Sequence, residues 1–207
     1  MNPARPISAG DVHAVLGRHL LVDGFHLVVD LEASSGSWIV DARDGRRYLD
    51  CYTSFASAPL GTNAPELAGD PELDAELLRA ARTKPANPDL YSRELAAFVD
   101  TFARVLGDPA LPHLFFVEGG ALAVENALKV AFDWKSRRNQ AAGRHRGLGT
   151  RVLHLRHAFH GRSGYTLSLT NTDPVKTERF PVFDWPRIDS PALRFPLEDH
   201  TVANAEA

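Results

Sequence analysis

One stretch of the chain, residues 115–129, combines features that suit an anionic ligand. An apolar run ends at Gly119-Gly120 and a long helical pattern follows, so we expect a strand, a turn and a helix. Backbone N–H groups at such a helix start point at one spot, and the helix dipole makes that spot positive, which suits a phosphate group. The turn matches neither G-x-G-x-x-G nor a Walker loop. A tight turn that binds nothing is the alternative.

A second stretch, residues 158–165, offers side chains that can hold a flat ring and a carboxylate. The ring of Phe159 can stack on a cofactor, and the guanidinium of Arg162 can grip a carboxylate through two parallel hydrogen bonds. Both follow an apolar run at residues 152–155, and open α/β sheets bind ligands at the carboxyl ends of their strands. A structural His160 and a surface arginine are the alternative. Taken together, the two stretches indicate a phosphorylated cofactor and an anionic substrate.

Apolar periodicity predicts the elements that precede the first stretch. We expect a short helix after Ser8, a three-stranded β-meander at 27–31, 37–41 and 46–50, a loop of small residues at 51–63, and helices at 71–81 and 92–106. Such a meander is too small to be stable alone, so it must pack on another element or on a partner.

The elements around the two stretches indicate the fold class. We expect a strand at 114–117 that is buried on both faces, a helix at 121–142 whose first half is buried, and a strand at 152–155. Strand, helix and strand form a βαβ unit, so the fold class is α/β. Residues 165–170 fit either a strand or a helix, and residues 177–187 fit a loop.

Composition and charge exclude several classes of protein. The 207 residues carry a formal net charge of -3, which gives no argument for binding nucleic acid or an anionic membrane. Cys51 is the single cysteine, so we expect no internal disulfide, and a reducing cytosol fits. We find neither a signal peptide nor an apolar run long enough to span a membrane. His113, His154 and His157 lack metal-ligand spacing, so no metal site is expected.

The two stretches together resemble the class III aminotransferases, which use pyridoxal 5'-phosphate on the fold type I scaffold. In that family a small-residue turn holds the cofactor phosphate, and an aromatic-(His/Trp)-Gly-Arg segment follows further along the chain. Longer runs are similar to the L-lysine 6-aminotransferase branch, namely residues 111–129, 132–137, 165–172 and 179–188. The resemblance covers roughly residues 11–190.

The resemblance implies a role for five residues. Gly120 and Ala121 would bind the cofactor phosphate through their backbone N–H groups, and Ala121 would also border the substrate. Phe159 would stack on the pyridine ring of the cofactor. Arg162 would bind a carboxylate of L-lysine or 2-oxoglutarate, and Phe55 would line the substrate pocket.

The implied reaction is the transfer of the ε-amino group of L-lysine to 2-oxoglutarate, which yields glutamate and 2-aminoadipate 6-semialdehyde. In the family this reaction serves lysine catabolism and, in some producers, antibiotic biosynthesis. Family members are dimers, and we expect a cytoplasmic protein. Another ω-aminotransferase, of the ornithine or 4-aminobutyrate type, is the alternative.

The lysine that holds the cofactor as a Schiff base in the family has no counterpart among the four lysines of this chain, which are Lys84, Lys129, Lys135 and Lys176. Family members are also considerably longer. We therefore expect the N-terminal half of such an enzyme, without a catalytic residue of its own and inactive alone. A non-catalytic truncated fragment is the alternative.

Three parts are expected along the chain. Residues 1–60 would form the N-terminal helix and the β-meander, which belong to the small domain. Residues 61–190 would form the first part of the large, cofactor-binding domain, and residues 191–207 would be a disordered tail.

Overall fold

The structure, a computed structural model, describes residues 6–67, 69–145, 147–190 and 195. Two compact units, Met1–Leu106 and Gly107–Ala207, make up the chain. The boundaries expected after residues 60 and 190 concern domains of the family fold and stay a prediction. The expected tail lies outside the described residues, apart from residue 195.

A short helix begins the first unit, as predicted. A 3₁₀ turn, Ala9–Asp11, leads into α1, Val12–Leu16. The hydroxyl of Ser8 donates to the carboxylate of Asp11 at 2.6 Å, so side chains join the two ends of the first turn. The helix is shorter than the apolar spacing predicts because it ends at Gly17, a residue with low helix propensity.

Two of the three predicted meander strands are present. β1, Trp38–Val40, pairs antiparallel with β2, Arg47–Leu49. Ile39 lies opposite Tyr48 in this ladder, and the backbone N–H of Asp41 donates to the carbonyl of Arg46 at 2.9 Å, so a four-residue turn at 42–45 joins the two strands.

The strand predicted at 27–31 is wrong, because Val29 forms only an isolated bridge with Asp41. The side chain of Asp30 gives the physical reason. Its carboxylate accepts the backbone N–H groups two and three residues further on, at 3.0 and 2.9 Å. This local turn competes with a longer ladder and bends the chain away after one bridge.

The carboxylate of Asp41 is buried and joins the turn after β1 to the backbone at Val28. Arg43 donates through Nε and Nη2 at 3.0 and 2.6 Å. The backbone N–H groups of Val28 and Arg43 donate to the same carboxylate at 3.4 and 3.0 Å. The hydrogen bonds from the Arg43 side chain hold the pKa of Asp41 well below its usual range, although burial acts in the opposite direction.

The remaining helices of the first unit begin at residues that can cap them. The predicted loop at 51–63 contains one short helical turn, α2, Thr53–Ala56. α3, Pro71–Arg82, follows Asp70, whose carboxylate accepts two backbone N–H groups of the first turn at 3.0 and 3.1 Å. α4, Arg93–Leu106, follows a serine whose hydroxyl accepts a backbone N–H at 3.0 Å. Both long helices lie where the sequence predicts them.

The second unit is built on α5, Gly120–Ala141, which confirms the predicted helix. The strand predicted at 114–117 is wrong, because no strand is assigned there and Phe115 is 75% exposed. A strand buried on both faces needs paired backbone on both sides. In the described part of this unit the paired strands lie elsewhere: β3, His154–Leu155, and β4, Arg187–Ile188, are parallel neighbours.

The first half of α5 is not buried, contrary to the prediction. Leu122 and Val130 are 45% and 70% exposed, because little of the chain packs against this flank. The flank borders an apolar groove of about 360 Å³ that Phe115 also lines. The second half of the helix contains a buried polar residue, Asn139, whose side-chain amide donates to the carbonyl of Leu148 at 2.9 Å.

A six-residue helix, α6, Gly164–Leu169, settles the ambiguity at residues 165–170. The ring of Tyr165 packs edge-on against Phe132 of α5, with centroids 5.4 Å apart. The ring of buried Trp185 lies 5.9 Å from Phe132 and completes an aromatic cluster. This cluster holds α6 against α5. The segment before β4 is a loop, as predicted.

In the part of the chain that the structure describes, no helix has the length and apolar character that crossing a membrane requires.

The Asp41 carboxylate makes the stability of the first unit depend on pH. Its pKa is lower in the folded chain, so its stabilising effect is present at neutral pH and is lost as the pH falls below about 4, where the unfolded chain binds the proton more tightly. We expect Asp41→Asn to lower the melting temperature at pH 7 and to flatten its acid dependence. Thermal unfolding, with amide exchange at Val28 and Arg43, measures both effects.

Asp89→Asn is the matched control, because Asp89 is an exposed carboxylate in a loop of the same unit. Equal effects of the two substitutions on the acid dependence would contradict the account.

Candidate functional site

The first turn of α5 leaves its backbone N–H groups open. Gly119 precedes the helix with φ 83°, a left-handed conformation that favours glycine, and no side chain caps the helix at this residue. The backbone bonds of the helix begin with the N–H of Ala123, which donates to the carbonyl of Gly119 at 3.1 Å. The N–H groups before Ala123 therefore have no partner within the helix.

The turn before the helix is uncrowded. A methyl group built on Gly119 or Gly120 would meet no described atom within 4 Å. Uncapped N–H groups at the positive end of a helix, on a turn without side chains, fit a phosphate group of a cofactor.

The segment around Phe159 is brought against this helix start by a glycine contact. Gly161 is buried and has φ +119°. A methyl group on Gly161 would collide with the side chain of Ala121 and would lie 3.1 Å from the hydroxyl oxygen of Thr166. Only glycine permits this approach, so the structure brings together the two stretches that the sequence analysis selected.

Hydrogen bonds to the residues after α6 fix the backbone of the same segment. The hydroxyl of Thr170 donates to the carbonyl of Gly161 at 2.6 Å and accepts the N–H of His160 at 3.1 Å. Asn171 and Ala158 exchange two bonds, at 2.9 and 3.0 Å. The backbone of the segment is therefore held from both sides.

The two side chains that this segment presents are accessible. Phe159 is 54% exposed, and Arg162 is exposed in the middle of the arc between Gly161 and Gly164. A half-exposed ring and a solvent-facing guanidinium can receive a flat ligand and a carboxylate.

One lysine lies beside the ring, which sequence reasoning missed. The Nζ of Lys176 is 5.4 Å from the ring centroid of Phe159, and it donates to the hydroxyl of Thr172 at 3.1 Å. The contact spans 17 residues, so no local pattern could have revealed it.

The other three lysines have different surroundings, each described within its own unit. Lys84 is exposed in the first unit, and Lys129 borders the apolar groove on α5. Lys135 lies over the ring of Trp134, with its Nζ 6.0 Å from the centroid.

Phe55 belongs to the first unit, whereas Phe159 and Arg162 belong to the second. Its ring is 85% exposed and meets Tyr52 edge-on, with centroids 4.8 Å apart. All four residues of α2 have left-handed backbone, with φ between 49° and 62°. Such a run of non-glycine residues costs about 1–2 kcal/mol per residue and therefore marks a strained segment.

The histidines have structural surroundings. His154 is buried and accepts a hydrogen bond at Nε2 from the Nε of Arg187 at 3.2 Å, which ties β3 to β4. Among the described residues, no group of three or more His, Cys, Asp or Glu side chains is arranged to hold a metal ion.

The chain is similar in sequence to known proteins of one family. The family model Aminotransferase class-III matches residues 22–207. L-lysine-epsilon aminotransferases from Mycobacterium tuberculosis and Amycolatopsis lactamdurans are 65% and 60% identical to the chain; the matches cover 98% and 99% of it and 45% of each relative.

A solved structure of such a relative is also similar to this chain. Lysine aminotransferase from M. tuberculosis in the internal aldimine form matches with a TM-score of 0.89 and 64% identity, over 97% of this chain and 46% of that one. The match confirms the predicted fold type I α/β class. The chain spans less than half the length of these relatives.

Adding one methyl group at Gly161 tests its contact with Ala121. Gly161→Ala adds a collision to an unfavourable φ, so we expect it to lower the free energy of unfolding by about 1–3 kcal/mol beyond the cost of the backbone angle. Gly143→Ala is the matched control, because Gly143 has φ +68° in the same unit and open space around it. Urea unfolding of both variants measures the difference, and equal losses would contradict the close approach.

Proposed function

Because the chain belongs to the class-III aminotransferase family, we propose that it supplies the N-terminal part of an L-lysine 6-aminotransferase. That enzyme would move the ε-amino group of L-lysine to 2-oxoglutarate and release glutamate and 2-aminoadipate 6-semialdehyde. The observation that carries the choice of substrate is the 60–65% identity to proteins named L-lysine-epsilon aminotransferase. The whole reaction belongs to a longer protein than the chain, which spans 45% of those relatives.

Pyridoxal 5'-phosphate is the cofactor of this proposal. The open N–H groups at the start of α5 and the uncrowded turn at Gly119 and Gly120 support a phosphate there. When bound, the cofactor acts as an electron sink that stabilises negative charge on the carbon next to the amino nitrogen. The protein must hold the phosphate, align the ring and keep the substrate in place.

Each predicted site residue has a task in this proposal. Gly120 and Ala121 donate backbone N–H groups to the phosphate, and Ala121 also borders the substrate. Phe159 stacks on the ring of the cofactor, which its exposed face permits. Arg162 binds a carboxylate of L-lysine or 2-oxoglutarate through paired hydrogen bonds. Phe55 lines the substrate pocket.

The apolar flank of α5 fits a place inside a longer enzyme. Phe115 and Val130 are 75% and 70% exposed, and the groove of about 360 Å³ between these elements is largely apolar. Exposed apolar area of this kind marks an interaction surface. We propose that the remainder of the family fold covers it.

The finer biological setting is proposed as well. The protein would act in the cytoplasm, in lysine catabolism or in antibiotic biosynthesis, and the longer enzyme would be a homodimer. Absence of a membrane-spanning helix among the described residues agrees with this setting, and the net charge of -3 gives no argument for nucleic acid as a partner.

We expect the purified chain to bind pyridoxal 5'-phosphate without turnover. None of the four lysines matches the family's Schiff-base lysine, so proton transfer at the substrate carbon lacks its base. Glutamate formation from L-lysine and 2-oxoglutarate should equal the rate of free cofactor, while absorbance titration should show binding. Turnover above that rate would contradict the inactivity of the chain alone.

Lys176→Ala is the informative variant in this assay, because Lys176 lies beside Phe159. Turnover that disappears in the variant would assign a catalytic amine to Lys176, and turnover that persists would place the amine elsewhere. Failure of the wild-type chain to bind the cofactor would contradict the proposed site itself.

A further inference from the structure

The carboxylate of Glu125 reaches across from α5 to the start of α6. Its Oε1 accepts the backbone N–H of Tyr165 at 2.9 Å. Its Oε2 accepts the backbone N–H of Thr166 at 3.1 Å and the hydroxyl of Ser163 at 3.2 Å. Both oxygens therefore serve the first turn of α6, where a negative charge is favourable because of the helix dipole.

A second glycine makes this reach possible. A methyl group on Gly164 would lie 2.8 Å from Oε1 of Glu125, which is too close for an ordinary contact. The arc from Gly161 to Gly164 thus touches α5 twice, at Ala121 and at Glu125. Those two residues are four positions apart and lie on one face of the helix.

Arg162 lies between the two contacts. The Gly161 contact fixes one end of the arc beside the open N–H groups of α5, and Glu125 fixes the other end through Ser163. The Gly161 end is a van der Waals contact with Ala121, whereas the Gly164 end is held by hydrogen bonds to the carboxylate of Glu125.

An acid–base role for Glu125 does not fit these contacts. A general acid or base must reach the proton of a reacting group, at about 2.6–3.2 Å. The carboxylate instead accepts three bonds from the protein itself, so both oxygens are already engaged.

We infer that Glu125 is a positioning residue, which fixes Arg162 relative to the phosphate-binding turn. The identity of the cofactor and of the carboxylate substrate rests on the proposed function. The placement of the arc is independent of it. Removal of the carboxylate releases the Gly164 end, so Arg162 loses its fixed direction while α5 and its open N–H groups remain.

Three variants test the inference on the full 207-residue chain. Glu125→Ala removes all three bonds, and Glu125→Gln keeps one carbonyl oxygen as an acceptor. Asp133→Asn is the matched control, because Asp133 is an exposed carboxylate two turns further along α5 that pairs with Arg137 at 2.8 Å.

Three readouts separate positioning from general stability. Amide exchange at Tyr165 and Thr166 reports the hydrogen bonds, and the heteronuclear NOE of the Arg162 side chain reports its order. Fluorescence titration with 2-oxoglutarate, at saturating pyridoxal 5'-phosphate, reports the affinity of the carboxylate site at Arg162. Glu125→Ala should accelerate exchange, disorder Arg162 and weaken binding about tenfold or more. Glu125→Gln should lie between wild type and alanine, and Asp133→Asn should match wild type in all three.

Three outcomes would contradict either the positioning role of Glu125 or the proposed function. Unchanged order of Arg162 in Glu125→Ala would overturn the inference, whatever happens to exchange. Faster exchange with unchanged affinity for 2-oxoglutarate would reduce Glu125 to a helix cap and would also overturn it. If wild type binds neither the cofactor nor 2-oxoglutarate, the proposed function fails, and the order of Arg162 alone then decides whether Glu125 positions the arc.

Discussion

The candidate site depends on one close approach, in which the arc from Gly161 to Gly164 lies against the first two turns of α5. Gly161 has no room for a side chain next to Ala121, and Gly164 has none next to Glu125. These contacts turn two separate stretches of sequence into one surface. That surface combines open backbone N–H groups, an accessible ring and an exposed guanidinium, all of which an anionic aromatic cofactor can use.

Local pattern was sufficient to predict the helices. α3, α4 and α5 lie where apolar spacing and capping residues place them, because both signals act within a few residues along the chain. Long-range pairing was not predictable in the same way. An apolar run at 114–117 indicates a buried strand but does not contain the partner that pairs with it, and the expected strand at 27–31 is cut short by the side chain of Asp30. The exposed first half of α5 has the same cause, since the sequence of a helix gives its apolar flank but not the element that covers it.

For the candidate site, sequence reasoning selected residues but did not reveal the contacts that hold them. Gly120, Ala121, Phe159 and Arg162 were selected from two motifs, and the structure places those motifs side by side. The bonds of Glu125 to α6 span about 40 residues, and the contact of Lys176 with Phe159 spans 17, so neither leaves a periodic signal. The chain belongs to the class-III aminotransferase family and spans less than half the length of its relatives.

The most direct test of the central claim is a two-dimensional NMR titration of the chain with pyridoxal 5'-phosphate, compared with pyridoxal, which lacks the phosphate. The account predicts that the amide signals of Gly120 and Ala121 shift with pyridoxal 5'-phosphate and with inorganic phosphate, and that pyridoxal leaves them in place. Equal shifts with pyridoxal, or phosphate-dependent shifts confined to other residues, would contradict a phosphate site at the start of α5.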